Sequence, residues 1–309
     1  MSAADDLTQY LASRRSEIDA ALLTSLPSPP SCPASLANAM RYSVTAGGKR
    51  LRPILCLASA EAVGGDRRMA MPAACALEFI HTYSLIHDDL PAMDNDTLRR
   101  GRPTLHVVAG EGMAILGGDG LLTEAFLLMA REPRGDDATL LARKVRVVAI
   151  VAASAGAAGM VGGQAIDLAC VTPGPDGLLA PSLDADGLCA RHARKTGALI
   201  RASATAGAVM GGAGERQIDA VDRAAAELGL AFQIIDDVLD VEGASADLGK
   251  TAGKDAAVGK PTYPAIYGLE ASKRMASECL ERAAATLTSI GLADSRLLQI
   301  GRWIVERSN

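Results

Sequence analysis

Apolar residues recur every three or four positions along most of this sequence, which is the spacing of one helix face. Leu7, Leu11 and Ile18 follow it in a first helix predicted over residues 5–26. The proline-rich segment 27–33 ends that helix, because repeated prolines cannot continue one. Further helices are predicted over residues 35–41, 53–62, 69–89, 121–130, 136–168, 193–203, 217–241 and 264–308. The pattern predicts an all-α fold.

Composition favours helices packed in one domain. Of 309 residues, 49% are hydrophobic but only 3% are aromatic, so Ala, Leu, Val, Ile and Met must fill the core. Such a core suits close-packed helices better than a sheet sandwich. We find no convincing linker and no internal repeat, and residues 1–309 are therefore predicted to form a single helical bundle.

Charge and cysteine content argue against several kinds of function. The formal net charge is −5, whereas general nucleic-acid binding needs a broad positive field. The six cysteines form no CxxC pair and are interpreted as small core residues in a reducing compartment. Residues 1–19 lack the apolar region of a signal peptide. We expect a cytoplasmic protein that does not bind nucleic acid.

One weakly hydrophobic segment raises the question of a membrane span. Val147 to Gly163 is uncharged, but it consists mostly of Ala and Gly. Seventeen residues lie at the short end of the range for a spanning helix. We expect this segment to be buried among other helices, with no membrane span.

A dense group of carboxylates lies at the end of an apolar helix. Asp88, Asp89 and Asp94 fall within seven residues and are followed by Arg99 and Arg100. Hard oxygen ligands favour Mg²⁺ or Ca²⁺, and guanidinium groups bind phosphate oxygens. The group is typical of a site for a magnesium-chelated phosphate ester; a surface helix end with scattered charge is the alternative.

The geometry of this first acidic cluster requires a break in the helix. In a straight helix Asp94 would point about 120° away from Asp88. Pro91 is placed to interrupt the helix between them. Carboxylates at a helix C-terminus are also electrostatically unfavourable, which implies a bound cation.

A second acidic cluster follows more than a hundred residues later. Asp236, Asp237 and Asp240 end another apolar helical run. Positions i and i+4 lie only about 40° apart, so Asp236 and Asp240 share a helix face. We expect the two clusters to form two walls of one metal-filled cavity.

Several basic or polar segments are weaker candidates. Gly47 and Gly48 are predicted to present Lys49, Arg50 and Arg52 together as a diphosphate grip, although basic loops are usually just solvated. Other candidates are the pair Lys195–Thr196 at a helix kink, and Lys250, Lys254 and Lys260 in a lid-like loop. Gln164 and Asp167 share a helix face, where they support the residues that line the cavity or make a helix-to-helix hydrogen bond.

These motifs together resemble one enzyme family. DDxxxxD followed by RR, with a later DDxxD, resembles the trans-isoprenyl diphosphate synthases, and HTYSLIHDDLPAMDNDTLRRG is similar to the bacterial farnesyl diphosphate synthases. The resemblance extends from GGKRLRP at residue 47 to KPTYPAIYGLE at residue 270. One departure is that the family's HKTG is Arg194 to Gly197 here, with Lys195 intact.

The resemblance implies a homodimeric all-α bundle around a deep cavity, which joins isopentenyl diphosphate to an allylic diphosphate. It implies three Mg²⁺ ions, bound by Asp88, Asp94 and Asp236 with support from Asp89, Asp237 and Asp240. The implied allylic diphosphate ligands are Arg99, Lys195, Lys250 and Lys260. The implied ligands of isopentenyl diphosphate are Gly48, Lys49, Arg52, His81 and Arg100. Thr196 and Gln233 would stabilise the carbocation.

Product length depends on the floor of that cavity. Tyr83 precedes Asp88 by about 7.5 Å of helix rise, and Ser84 beside it is small. A bulky ring there resembles the farnesyl pattern, so a C15 product is expected; an ordinary core aromatic is the alternative. The alternative functions are a geranylgeranyl diphosphate synthase, a terpene cyclase and a non-catalytic partner subunit.

Overall fold

The computed structural model describes residues 3–170, 183–246 and 262–306, which are almost entirely helical. In chain order the first helices are α1 (Ala3–Ser25), α2 (Ala34–Val44), α3 (Leu51–Ala62), α4 (Arg67–Asp88), α5 (Leu105–Ala109), α6 (Glu111–Arg131), α7 (Ala138–Ala155) and α8 (Met160–Ala169). They are followed by α9 (Ala185–His192), a π-helical turn (Ala193–Gly197), α10 (Ala198–Met210), α11 (Glu215–Ala246), α12 (Tyr263–Tyr267), α13 (Leu269–Thr288) and α14 (Arg296–Glu306). The predicted all-α class is confirmed.

The chain forms two compact units. The N-terminal unit comprises Met1–Ala149 and Ala206–Gly212, and the C-terminal unit comprises Ile150–Thr205 and Ala213–Asn309. The prediction of a single domain stays a prediction.

Helix α4 is the central element of the N-terminal unit. Asp66 caps its start by accepting the N–H of Arg68 at 2.9 Å. Leu77, Phe79 and Ile80 are fully buried, and α4 packs against α3 and α6. Burial of such side chains stabilises each by roughly 1.5–3 kcal/mol, so α4 holds the first acidic cluster on a rigid support.

The segment between α4 and α6 differs from the sequence prediction, in which the next helix begins only at residue 121. Leu98–Arg99 and Arg102–Pro103 form a short antiparallel hairpin, and α6 already begins at Glu111. The glycines of this segment are not all turn residues. Gly117 lies against Leu105, where a side chain would crowd it. Such glycines permit close packing of α6. The sequence pattern alone does not distinguish a glycine of this kind from a glycine in a loop.

In the C-terminal unit, α11 packs along α13 and α14. The core cluster beneath it consists of Leu188, Ala231, Ile234, Ile235, Tyr263, Ala276 and Cys279. This packing fixes the orientation of the second acidic cluster on α11.

Among the residues that the structure describes, three helical segments are long and apolar enough to cross a membrane by length and composition alone. They are Arg67–Asp88, Glu111–Arg131 and Ala138–Ala169. Within the described chain, 67% of the apolar window in Arg67–Asp88 is buried, against 28% in Ala138–Ala169. The segment predicted to be buried from sequence therefore leaves much of its surface exposed.

Candidate functional site

The first acidic cluster lies where α4 ends. Asp88 is the last helical residue, and the chain turns so that the Asp94 N–H donates to the Asp88 carbonyl at 2.8 Å. This is the helix break predicted at Pro91. Asp94 is exposed and Asp88 half-buried. This hydrogen bond closes a turn that begins at Asp88 and ends at Asp94, two carboxylates that a straight helix would direct apart.

Asp89 has a different environment from its neighbour Asp88. It is 4% exposed, and its two carboxylate oxygens accept Arg99 Nε at 2.7 and 3.0 Å. Arg99 Nη2 lies 2.6 Å from the same carboxylate. Burial by itself lowers the pKa of Arg99, but the contact with Asp89 outweighs this and raises it. The ion pair fixes the hairpin that carries Arg99 against the end of α4.

The basic loop before α3 lies against the same hairpin. The Arg100 guanidinium donates to the Gly47 carbonyl. Gly48 has φ +128°, a backbone conformation that strains any other residue, and a Cβ there would also displace the Arg100 guanidinium, whose Nη1 would lie 2.5 Å away. Lys49 is exposed beside them. Gly48, Lys49 and Arg100, which are all predicted to bind isopentenyl diphosphate, therefore lie together in the N-terminal unit.

Arg50 departs from the predicted grip. Its side chain is 4% exposed and donates to Glu78 Oε1 at 2.7 Å and to Asp19 Oδ1 at 2.8 Å. The expectation that Arg50 is presented with Lys49 and Arg52 is wrong, because a buried acid turns it inward. Arg50 anchors the start of α3 instead.

His81 lies among cations. Burial first, and then the charges of Arg52 and Arg100, hold the pKa of His81 well below its usual range. The imidazole is therefore neutral at physiological pH. A neutral ring surrounded by guanidinium groups can hydrogen-bond an anion without adding charge, which fits its predicted ligand-positioning role.

Tyr83 lies one turn below the acidic end of α4. It is 7% exposed, and burial, then the charge of Asp88, raises the pKa of its phenol. Its ring meets the His87 ring edge-on, with centroids 5.6 Å apart. Ser84 Oγ donates back to the His81 carbonyl at 2.9 Å. Tyr83 is thus a buried ring with a defined partner.

The second acidic cluster also separates into exposed and buried members. Asp236 and Asp240 are exposed on α11, whereas Asp237 is 6% exposed. Asp237 Oδ1 accepts Gln233 Nε2 at 3.0 Å, and its Oδ2 accepts the Tyr263 backbone N–H at 3.0 Å. The buried carboxylate therefore joins α11 to the start of α12.

Lys195 lies in the π-helical turn, at the predicted kink. Its Nζ donates to Asp167 Oδ2 at 2.6 Å, and Arg191 Nη1 donates to Oδ1 of the same carboxylate at 3.1 Å. Gly163 permits this approach, because a Cβ there would lie 2.6 Å from Lys195 Cα. Asp167 is 4% exposed and holds the lysine in a fixed place. Gln164 Oε1 is buried without a hydrogen-bond partner in the described ranges.

Each unit therefore has a cation that a buried acid holds in place, Arg99 in one and Lys195 in the other, and it also carries carboxylates at its surface. Cations held in this way can bind an anionic ligand. A polyprenyl synthetase family model matches residues 33–290. The chain belongs to the polyprenyl synthetase family.

Related proteins support this placement along the whole chain. A geranylgeranyl diphosphate synthase of Cyanophora paradoxa is 45% identical over 98% of this chain and 97% of its own. A dimethylallyltranstransferase of Fischerella ambigua is 44% identical over 98% of this chain and 84% of its own. The apo crystal structure of a FPP/GFPP synthase from Zymomonas mobilis matches with a TM-score of 0.84 and 36% identity, covering 98% and 99% of the two chains. The all-α isoprenoid synthase fold is confirmed.

The acidic side chains of this polyprenyl synthetase are of the type that binds Mg²⁺. Asp88, Asp94, Asp236 and Asp240 offer only oxygen ligands. No group of three or more His, Cys, Asp or Glu side chains forms a ready metal site in residues 3–170, 183–246 and 262–306. Mg²⁺ usually takes one or two carboxylates together with substrate phosphates and water, so such a preformed cage is not required.

Some residues of the family pattern lie outside the described ranges, and others escaped sequence reasoning. Lys250, Lys254 and Lys260 belong to the first group. Arg191 and His87 belong to the second, because Asp167 and the Ile115 carbonyl, which they contact, lie 24 and 28 residues away in sequence. Asp167 was noticed, but only the structure gives it two cationic partners.

Proposed function

We propose that this polyprenyl synthetase is a Mg²⁺-dependent trans-prenyltransferase that makes geranylgeranyl diphosphate from isopentenyl diphosphate and an allylic diphosphate. The observation that carries the proposal is the division within each acidic cluster. Asp89 and Asp237 are buried and hydrogen-bonded, while Asp94, Asp236 and Asp240 are exposed. Exposed carboxylates on a fixed support suit a metal–diphosphate complex.

The C20 product is supported by the relatives. The Cyanophora protein, which this chain matches nearly end to end, carries the name geranylgeranyl diphosphate synthase. The leading expectation from sequence was a C15 product, and the comparisons favour its alternative. Farnesyl diphosphate remains the second candidate, because Tyr83 is a buried ring and a bulky residue at this position resembles the farnesyl pattern.

In the proposed reaction, the allylic C–O bond breaks, the isopentenyl alkene attacks the resulting carbocation, and a proton leaves to the released pyrophosphate. Three bound Mg²⁺ ions would stabilise the negative charge that develops on the pyrophosphate. Asp88, Asp94 and Asp236 would hold them, with support from Asp240. Asp89 and Asp237 would contribute by fixing Arg99 and the start of α12.

The cationic side chains have separate tasks in this proposal. Lys195 and Arg99 bind the allylic diphosphate, each held by a buried carboxylate. Lys49, Arg52, Arg100 and the neutral His81 bind the diphosphate of isopentenyl diphosphate. Thr196 and Gln233 present oxygen atoms that stabilise positive charge without capturing it.

We also propose that the protein is a cytoplasmic homodimer. Several large apolar side chains of the N-terminal unit are exposed, on α5 (Val107, Val108), α6 (Ile115, Leu116, Leu127) and the first part of α7 (Leu141, Val145). Exposed apolar surface on this scale is typical of a protein–protein interface. All six cysteines are thiols, which suits a reducing compartment.

One incubation tests the function. The purified protein is given Mg²⁺, isopentenyl diphosphate and dimethylallyl diphosphate, and the dephosphorylated products are identified by mass spectrometry. A dominant C20 alcohol supports the proposal, and a dominant C15 alcohol replaces it by the second candidate. If no coupling occurs, or if chelation of Mg²⁺ leaves coupling unchanged, the proposed chemistry is wrong.

A further inference from the structure

His87 links the Tyr83 ring of α4 to helix α6. Its Nε2 lies 3.1 Å from the Ile115 carbonyl oxygen, which can only accept, so this nitrogen carries the hydrogen. On its other side the ring packs edge-on against Tyr83, at an interplanar angle of 84°. One imidazole therefore fixes the tyrosine relative to the neighbouring helix.

Gly118 makes this arrangement possible. A Cβ at Gly118 would lie 2.5 Å from His87 Cδ2 and closer still to Nε2. No real side chain tolerates that distance, so any larger residue must displace the imidazole. The ring sits where α4 and α6 pack along each other. The glycine thus determines where the histidine sits.

We propose that Gly118 and His87 are positioning residues that set the length of the prenyl product through Tyr83. The proposal rests on the proposed function. An aromatic ring with an edge-on partner is held in one orientation, whereas a ring without that partner samples others. A fixed Tyr83 ring limits the depth available to the growing chain, and a loosened ring admits one more isoprene unit.

Gly118→Ala tests the first step. The added methyl group displaces His87 and removes the restraint on Tyr83. We expect the ratio of the product one isoprene unit longer to the wild-type product to rise roughly three- to tenfold, the range expected for losing an edge-on ring contact. Gly117→Ala is the matched control, since its Cβ would meet only Leu105 Cδ2 at 3.2 Å and Ala39. The control is expected to keep the wild-type product ratio.

His87→Ala is the second variant, because it removes the ring without crowding α6. It should lengthen the product in the same direction as Gly118→Ala. An unchanged product ratio in His87→Ala would overturn the proposal even if Gly118→Ala did not fold.

A double variant separates positioning from a general loosening of the helices. In a Tyr83→Ala background the ring is absent, so Gly118→Ala should add no further lengthening. Additional lengthening there would show that Gly118 acts independently of Tyr83, and the proposal would be wrong. Absence of any prenyl product from the wild-type protein would instead refute the proposed function, so the two failures are distinguishable.

Discussion

Lys195 and Arg191 bind the two oxygens of one buried carboxylate, that of Asp167, at 2.6 and 3.1 Å. The carboxylate fixes a lysine that is 28% exposed at its side chain and carries the charge proposed to bind the allylic diphosphate. Preorganised cations of this kind bind a diphosphate without losing further side-chain freedom.

Asp167→Asn should therefore weaken allylic substrate binding. The amide cannot hold both cations, so we expect the KM for the allylic diphosphate to rise roughly tenfold or more, with a smaller change in the KM for isopentenyl diphosphate. Steady-state kinetics with each substrate varied in turn measures this. Asp222→Asn is the control, because Asp222 pairs with Arg201 at 2.8 Å in the same unit without contacting Lys195. Equal changes in both KM values would contradict the assignment.

The two kinds of aspartate in the first acidic cluster should respond differently to the same substitution. Asp89→Asn leaves Arg99 with only the more distant carboxylate of Asp96, 3.7 Å away, and the free energy of unfolding is expected to fall by about 2 to 3 kcal/mol. Asp94→Asn changes an exposed side chain and should leave stability within about 0.5 kcal/mol of wild type while abolishing Mg²⁺-dependent coupling. Urea unfolding and product formation are measured on both. Loss of stability in Asp94→Asn would show that its role is structural.

Tyr83→Ala should lengthen the product. Removing the ring opens space one turn below Asp88, and we expect the major product to gain at least one isoprene unit. Tyr83→Phe keeps the ring and should keep the wild-type length. Mass spectrometry of the dephosphorylated alcohols distinguishes these outcomes, and an unchanged length in the alanine variant would make Tyr83 an ordinary core residue.

His192 should make the protein sensitive to acid. Burial, then the charge of Arg191, lowers the pKa of this histidine to about 3. In the unfolded state the His192 imidazole binds a proton near pH 6.5, whereas in the folded state it stays neutral until the pH approaches 3. The free energy of unfolding therefore has its full value above pH 6.5 and falls as the pH drops toward 3. Between pH 7 and pH 5 the loss should be about 2 kcal/mol. His192→Gln should show a smaller loss between the same two pH values in urea titrations, and an equal loss would assign the effect to other groups.

Val145 should lie in the subunit interface if the homodimer is correct. Its side chain is 70% exposed on α7. Val145→Glu places a charge on this apolar surface, and light scattering after gel filtration should show a monomer or a dimer that dissociates at micromolar concentration. Leu23→Glu, at a 38% exposed position on α1, is the control and should remain dimeric. A wild-type monomer would refute the proposed assembly.

Periodicity predicted the helices well, and Pro91 predicted the break between Asp88 and Asp94. The partners of Asp89 and Asp237 could not be predicted in the same way. Arg99 reaches Asp89 only because a hairpin reverses the chain, and Tyr263 lies 26 residues beyond Asp237. The start of α6 was predicted ten residues too late for a related reason. A glycine required by packing and a glycine required by a turn look alike in sequence.

The π-helical turn at Ala193–Gly197 acts as a one-residue insertion in an otherwise continuous helix from α9 into α10. Deleting a single residue there would restore α-helical hydrogen bonding with the two flanking helices still in register, but it would remove the widened turn that carries Lys195. Leu199 and Ile200 would stay buried, but Lys195 would lose its place beside Asp167 while every aspartate remained in the chain. Length variation at this junction can therefore inactivate a protein whose acidic motifs all remain intact.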